Sequence, residues 1–286
     1  MRRIPNLITL ANLLAGCLAI LSALKGNLLW ASYLIVVAMV LDFADGMAAR
    51  MLGAYSEIGK QLDSLADLIS FGLAPAFILF RMLEIGRYRY FSSIFLDLSA
   101  VLHLDYINAL LTCIPFLYTL CAAWRLAKFN IDPRQKEHFI GLPTPAAAMV
   151  VASLPLILLK QINVGYVSMP YDETVVTFHN INHISDFESM VANWLFDAKI
   201  MLSLTGVLSV LMVSTVSLIS LKFTSFGWKE NAPRYILLLL SAAAIAGLKL
   251  MATPVIILLY IVISVIHFQQ LKIKGQPKAP GTIKTT

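Results

Sequence analysis

Residues 42–67 read DFADGMAARMLGAYSEIGKQLDSLAD, between two apolar runs, LLWASYLIVVAMVL at 28–41 and LISFGLAPAFILF at 68–80. Asp42 and Asp45 are one helical turn apart, as are Asp63 and Asp67, so on helices each pair lies on a single face. A carboxylate in an apolar membrane helix costs about 2.5–3.5 kcal/mol on the insertion scale, and four without partners cost ~10 kcal/mol or more. Such charges require counter-charges, and divalent cations are the natural ones.

The rest of the chain agrees with a membrane setting. Of 286 residues, 59% are hydrophobic and 13% charged, against roughly 25% charged in soluble domains, and the mean hydropathy is +0.78. Apolar runs near 20 residues long make the chain an all-α, polytopic membrane helical bundle. Eight spans are expected, near 5–24, 28–51, 59–84, 105–129, 140–161, 198–221, 233–250 and 252–271. Residues 1–271 read as one transmembrane domain and 272–286 as a flexible basic tail. Residues 85–104 read as an interfacial segment and 162–197 as a polar loop. No cleavable signal is expected at the N-terminus. Cys17, Cys113 and Cys121 fall within spans and read as small buried hydrophobes. The net charge of +6 suits anionic lipid head groups or topology bias, and nucleic acid is not expected as a partner.

Most of the 22 Lys and Arg residues fall on one side if both termini face the cytoplasm, which also puts the acidic 162–197 loop outside. Arg81, Arg87 and Arg89 run against this bias. The aspartates then stand at the cytoplasmic ends of spans 2 and 3.

Asp42, Asp45, Gly46, Ala49 and Arg50 form one helical stripe, and Gly59, Asp63 and Asp67 form another on the next span. The short connection MLGAYSEI makes the two spans antiparallel neighbours, so the stripes converge. Gly46, Ala49 and Gly59 remove bulk where a ligand or backbone approaches. Carboxylates without His or Cys favour Mg²⁺ or Mn²⁺, and Ca²⁺ also suits the donor set. Four of them suffice for two divalent cations bridging a pyrophosphate. Arg50 is expected to pair with a motif carboxylate and orient it.

The pattern Asp-x2-Asp-Gly-x2-Ala-Arg-x8-Gly-x3-Asp-x3-Asp, complete from Asp42 to Asp67, resembles that of the CDP-alcohol phosphatidyltransferases. The resemblance implies a six-helix catalytic core, two metal ions, a homodimer, and displacement of CMP from a CDP-linked lipid by an alcohol. Carried over by position, Asp42, Asp45, Asp63 and Asp67 correspond to metal ligands. Asp67 also corresponds to the general base, and Gly46, Ala49 and Gly59 to the small residues beside cytidine and phosphates.

Outside the motif, IPNLITLANLLAGCLAI, RLAKFNI, FIGLPTPAAA and LMVSTVSLISLKF resemble the bacterial branch that uses L-serine with CDP-diacylglycerol at the inner membrane. Asn6, Thr9 and Asn12 recur every third residue and suit either contacts to nucleotide or metal-bound water, or hydrogen bonds between helices. Arg125 suits bidentate binding of a phosphate or of the serine carboxylate, or else snorkelling to the interface. Pro143 and Pro145 set the start of span 5. The scattered histidines form no catalytic pattern, although His179 and His183 have helical metal-ligand spacing.

Three function classes compete. The first transfers a phosphatidyl group to serine, with Asp67 as base. The second runs the same chemistry with glycerol 3-phosphate or inositol phosphate, whose dianions require a denser basic pocket. The third, a cation transporter, requires acids deep in several helices and commonly an inverted repeat, and neither is visible here.

Overall fold

A computed structural model describes residues 3–87, 113–132, 139–158, 186–219 and 227–273. Its elements are helices α1 (Arg3–Leu24), α2 (Leu28–Met51), α3 (Glu57–Asp67), α4 (Ala74–Arg87), α5 (Pro115–Ile131), α6 (Thr144–Leu156), α7 (Asp186–Phe196), α8 (Ala198–Val213), α9 (Trp228–Leu248) and α10 (Ala252–Ile273). Two short strands, β1 (Phe139–Ile140) and β2 (Ser217–Leu218), pair antiparallel. Each of the eight expected spans contains a helix. Ile4–Leu24, Leu28–Met51, Glu57–Glu84 and Asn231–Gln270 are long and apolar enough to cross a membrane, while Thr144–Leu156 and Ala198–Val213 are shorter apolar helices.

Local chemistry sets the ends that matter for the site. Asn27 caps α2 by accepting from the Trp30 N–H, and Gly53, at φ 57°, takes the left-handed conformation just beyond its last turn. Ser56 then caps α3 by accepting from the Gly59 N–H. Capping at both ends of 52–56 turns the chain back after α2, but α3 packs chiefly against α1 and not along α2, so the expected antiparallel pairing of the two acidic helices is corrected: both dock on α1, and only their aspartates meet. Between α3 and α4 the chain widens into a π-helical turn, Leu68–Leu73, starting at the residue after Asp67. Pro145 lies in the first turn of α6, where a missing N–H costs nothing.

Small residues carry the central interface. Ala15, Ala19 and Ala23 of α1 and Ala31 and Ala38 of α2 are buried where these helices pack, and lipid-embedded helices approach most closely at such positions. Gly16 is tighter still, since a Cβ there would lie 2.5 Å from Ser70 Oγ and 2.9 Å from Ser70 Cα.

Several expectations require correction. Span 6 stops at Val213, because 214–219 run extended to form β2 and pair with β1. The polar loop expected at 162–197 ends in a helix, α7, and Asp197 caps α8 through the Lys199 and Ile200 N–H groups. Cys17 and Cys113 are exposed and Cys121 is half-buried. A thiol is apolar enough for an outward membrane-facing position, so burial was not required of it. Arg81 is buried in α4 and donates to Glu84 at 2.6 Å. Arg89, His179 and His183 lie outside the described residues, as do most of 85–104 and the 274–286 tail.

Candidate active site

The stripes of α2 and α3 converge as their spacing requires. Asp42, Asp63 and Asp67 each place a carboxylate oxygen within 4.8 Å of the others. Asp67 Oδ1 is buried and has no hydrogen-bond partner, which is rare for a buried polar atom. No described residue forms an ion pair with these aspartates; the pair found elsewhere is Arg81–Glu84. Three half-buried carboxylates crowded together repel one another strongly. An all-oxygen donor set of this kind fits a hard divalent cation.

Asp45 stands apart from that triangle. It is buried, and its Oδ2 accepts a 2.6 Å hydrogen bond from the Thr9 hydroxyl, while Asp42, Asp63 and Asp67 remain within Coulombic range. Thr9 has one proton, shared between Asp45 and the Pro5 carbonyl at 3.0 Å. In this arrangement the hydroxyl orients the Asp45 carboxylate.

The small residues divide into two kinds. A Cβ on Gly46 would meet only Arg50 Nη2, at 3.9 Å, so the space beside it is open to a ligand. A Cβ on Gly59 would lie 2.9 Å from Ser56 Oγ and 3.0 Å from Asn6 Oδ1, so the protein itself fills that space. Ala49 is half-buried on the Gly46 face. Arg50 departs from expectation: it is exposed and its Nε donates to the Gly46 carbonyl at 2.9 Å. Near the solvated end of α2 a backbone carbonyl is a closer partner than the carboxylates further along the helix.

Asn12 is fully buried, and neither its amide oxygen nor its nitrogen has a partner. Its own carbonyl accepts from Ser70 Oγ at 3.0 Å, which sets this part of α1 against the π-turn after Asp67. Asn6 and Thr9 lie on the same side of α1, toward Gly59 and Asp45.

Helix α5 closes another side. The Tyr118 hydroxyl donates to the Phe71 carbonyl at 3.1 Å, and the Thr119 hydroxyl to the Gly72 carbonyl at 3.1 Å. A π-turn shifts the backbone hydrogen-bond pattern, and these hydroxyls satisfy carbonyls within it. Further along, Asn130 Nδ2 donates to Ser64 Oγ at 2.8 Å and Lys60 Nζ to the Asn130 carbonyl at 3.1 Å. These contacts define an antiparallel register in which Arg125 stands level with Ala66 and Asp67.

Arg125 is 5% exposed, so it does not snorkel. Its Nε has no partner, Phe129 lies 5.9 Å from its guanidinium, and Asp67, Tyr260 and Tyr118 are within Coulombic range. Sequence reasoning missed Ser70, Tyr118, Asn130 and Tyr260, since nothing in their spacing separates them from ordinary packing residues.

A family model for CDP-alcohol phosphatidyltransferase matches residues 2–178. The chain is 38% identical over 154 residues to a CDP-diacylglycerol--serine O-phosphatidyltransferase of Bacillus subtilis, covering 54% of this chain and 76% of the relative. Similarity to an archaetidylserine synthase of Methanothermobacter thermautotrophicus is 34% over 155 residues, covering 54% and 58%. A CDP-diacylglycerol--serine O-phosphatidyltransferase of Helicobacter pylori is 28% identical over 272 residues, 94% of this chain and 92% of the relative.

Proposed function

The chain belongs to the CDP-alcohol phosphatidyltransferase family, and we propose that it transfers the phosphatidyl group of CDP-diacylglycerol to the hydroxyl of L-serine, releasing CMP. The observation that carries the chemistry is the convergence of Asp42, Asp63 and Asp67 on one point beside the open face of Gly46. The relatives' names supply the donor and the acceptor.

In this reading Asp42, Asp45, Asp63 and Asp67 hold two divalent ions, Mg²⁺ or Mn²⁺, with Thr9 fixing the orientation of Asp45. Bound there, the ions supply charge neutralisation for the pyrophosphate and for departing CMP. Gly46 and Ala49 leave room for the cytidine and phosphates. Asp67, whose Oδ1 is buried and unpartnered, accepts the proton of the serine hydroxyl as that oxygen forms its bond to the β-phosphorus. The bond from this phosphorus to the CMP oxygen breaks in the same in-line displacement. Arg125, level with Asp67, binds the serine carboxylate, for which a planar guanidinium is well matched. Asn12 presents its amide to the ligand from α1. The protein sits in the cell inner membrane with both termini and the site facing the cytoplasm, as a single transmembrane unit through residue 271 and as a homodimer.

Purified protein given CDP-diacylglycerol, Mg²⁺ and one alcohol at a time, with CMP counted, tests the acceptor. Serine is expected to release CMP and glycerol 3-phosphate is not; the reverse pattern rejects serine as acceptor.

A further inference from the structure

Helix α5 is tied to the acid-bearing stretch on both sides of Asp67. Before it, three hydrogen bonds close a ring: Asn130 Nδ2 donates to Ser64 Oγ at 2.8 Å, Ser64 Oγ to the Lys60 carbonyl at 3.2 Å, and Lys60 Nζ to the Asn130 carbonyl at 3.1 Å. After it, the Tyr118 and Thr119 hydroxyls donate to the Phe71 and Gly72 carbonyls, each at 3.1 Å. Asp67 stands three residues after Ser64 and four before Phe71, and Asp63 is the chain neighbour of Ser64. Gly72 allows the close approach of α5, since a Cβ there would lie 3.2 Å from Ala122 Cβ.

These ties hold the direction in which α3 faces. Leu68–Leu73 is a π-turn, with i→i+5 hydrogen bonds where an α-helix has i→i+4. Its extra residue rotates α3 against α4 by roughly 100°, one residue's share of a helical turn. Helix α4 is anchored in the core through Ala74, Ile78, Leu79, Met82 and Leu83. A π-turn that tightened into regular helix would therefore carry the face of Asp63 and Asp67 away from Asp42. The two α5 hydroxyls occupy carbonyls inside this turn, and the ring at Ser64 fixes α3 one helical turn before Asp67. Three carboxylates with oxygens within 4.8 Å of one another repel, so their arrangement has to be held before a cation arrives.

We propose that Asn130 and Thr119 are positioning residues: through them α5 splints α3 and the π-turn, keeping Asp63 and Asp67 aimed at Asp42 for the cation. The proposal rests on the reading of these aspartates as metal ligands. It is tested on the purified full chain in detergent by titrating Mn²⁺ alone. Bound ion is read by electron paramagnetic resonance, and folding by thermal unfolding without metal. Asn130 is half-buried near the end of α5, so Asn130→Ala leaves the core packing in place. Thr119→Val keeps the shape and removes the hydroxyl. Each is expected to weaken Mn²⁺ binding by about fivefold, the size of one lost hydrogen bond. Should Thr119→Val not fold, Asn130→Ala alone decides.

Thr205→Val is the matched control, because the Thr205 hydroxyl also donates to a backbone carbonyl, that of Met201 at 2.8 Å, but within α8. Its Mn²⁺ affinity is expected to stay within about twofold of wild type, less than one lost hydrogen bond. An equal loss in this control overturns the proposal in favour of general loosening. Ser64→Ala removes the acceptor of Asn130, so added to Asn130→Ala it is expected to weaken binding no further; a second full loss overturns the proposal. Variants that unfold at lower temperature yet bind Mn²⁺ like the wild type overturn it too, since the ties then serve stability alone. A wild-type protein that binds no Mn²⁺ instead rejects the aspartates as metal ligands, and the splint with them. Failure of the splint thus appears in the variants, and failure of the metal site in the wild type.

Discussion

The Thr9 hydroxyl and the Asp45 carboxylate meet at 2.6 Å across the interface of α1 and α2. Asp45 is thereby separated from the triangle of Asp42, Asp63 and Asp67 and given a fixed orientation. Partners of this kind tune a metal ligand, and losing one commonly costs 10–100-fold in metal affinity or activity. Thr9→Val keeps the shape and removes the hydroxyl. Its half-saturating Mg²⁺ concentration for CMP release is expected to rise by at least about tenfold, and an unchanged value removes Thr9 from the site.

Asp67 is assigned the proton transfer. General-base catalysis contributes roughly 10²–10⁴ in rate, so Asp67→Asn is expected to lower kcat by that order while binding of CDP-diacylglycerol persists. Equal loss of metal and lipid binding in that variant shows Asp67 to be chiefly a ligand. Calorimetric titration beside the CMP assay separates the two.

Chelation tests the donor set independently of the acceptor. Treatment with EDTA is expected to abolish CMP release, and Mg²⁺ or Mn²⁺ to restore it. A ligand at 100 times its Kd stabilises the folded state by about 2.7 kcal/mol. Thermal unfolding in detergent should therefore shift upward on adding metal to the wild type, and not in the Asp42→Asn, Asp63→Asn double variant.

Gly16 lets α1 sit on the π-turn beside Asp67. A methyl group there meets the backbone of Ser70 at 2.9 Å, and overpacking of this sort costs about 1–3 kcal/mol. Gly16→Ala is expected to lower the unfolding midpoint and the activity together. Gly206→Ala, inside α8 with nothing within 4 Å of the added carbon, is expected to lower neither, since alanine favours a helix interior over glycine; activity is the second readout in both cases.

The parts legible in the sequence were those governed by short-range periodicity. One-turn spacing put Asp42 with Asp45 and Asp63 with Asp67, and the short 52–56 connection turned the chain back so that Asp42, Asp63 and Asp67 meet, although the common packing of both helices on α1 was not legible. Side-chain partners chosen across helices were not legible. Thr9 could serve a nucleotide or a neighbouring helix equally well, and only packing assigned it to Asp45. Arg50 turned to its own helix backbone, the Gly46 carbonyl one turn back, and motif spacing alone does not distinguish that partner from a carboxylate. The π-turn after Asp67 and the strap from Val216 to Ile219 depend on contacts with residues about 45 positions away, beyond any local pattern.

The most direct measurement follows both products at once. Purified protein in lipid vesicles receives CDP-diacylglycerol, L-serine and Mg²⁺, and CMP and phosphatidylserine are quantified together. The two are expected to appear in equal amounts, and both are expected to vanish without metal or serine. CMP release that proceeds without serine and yields phosphatidic acid, or metal flux across the vesicle with no CMP formed, contradicts the assignment.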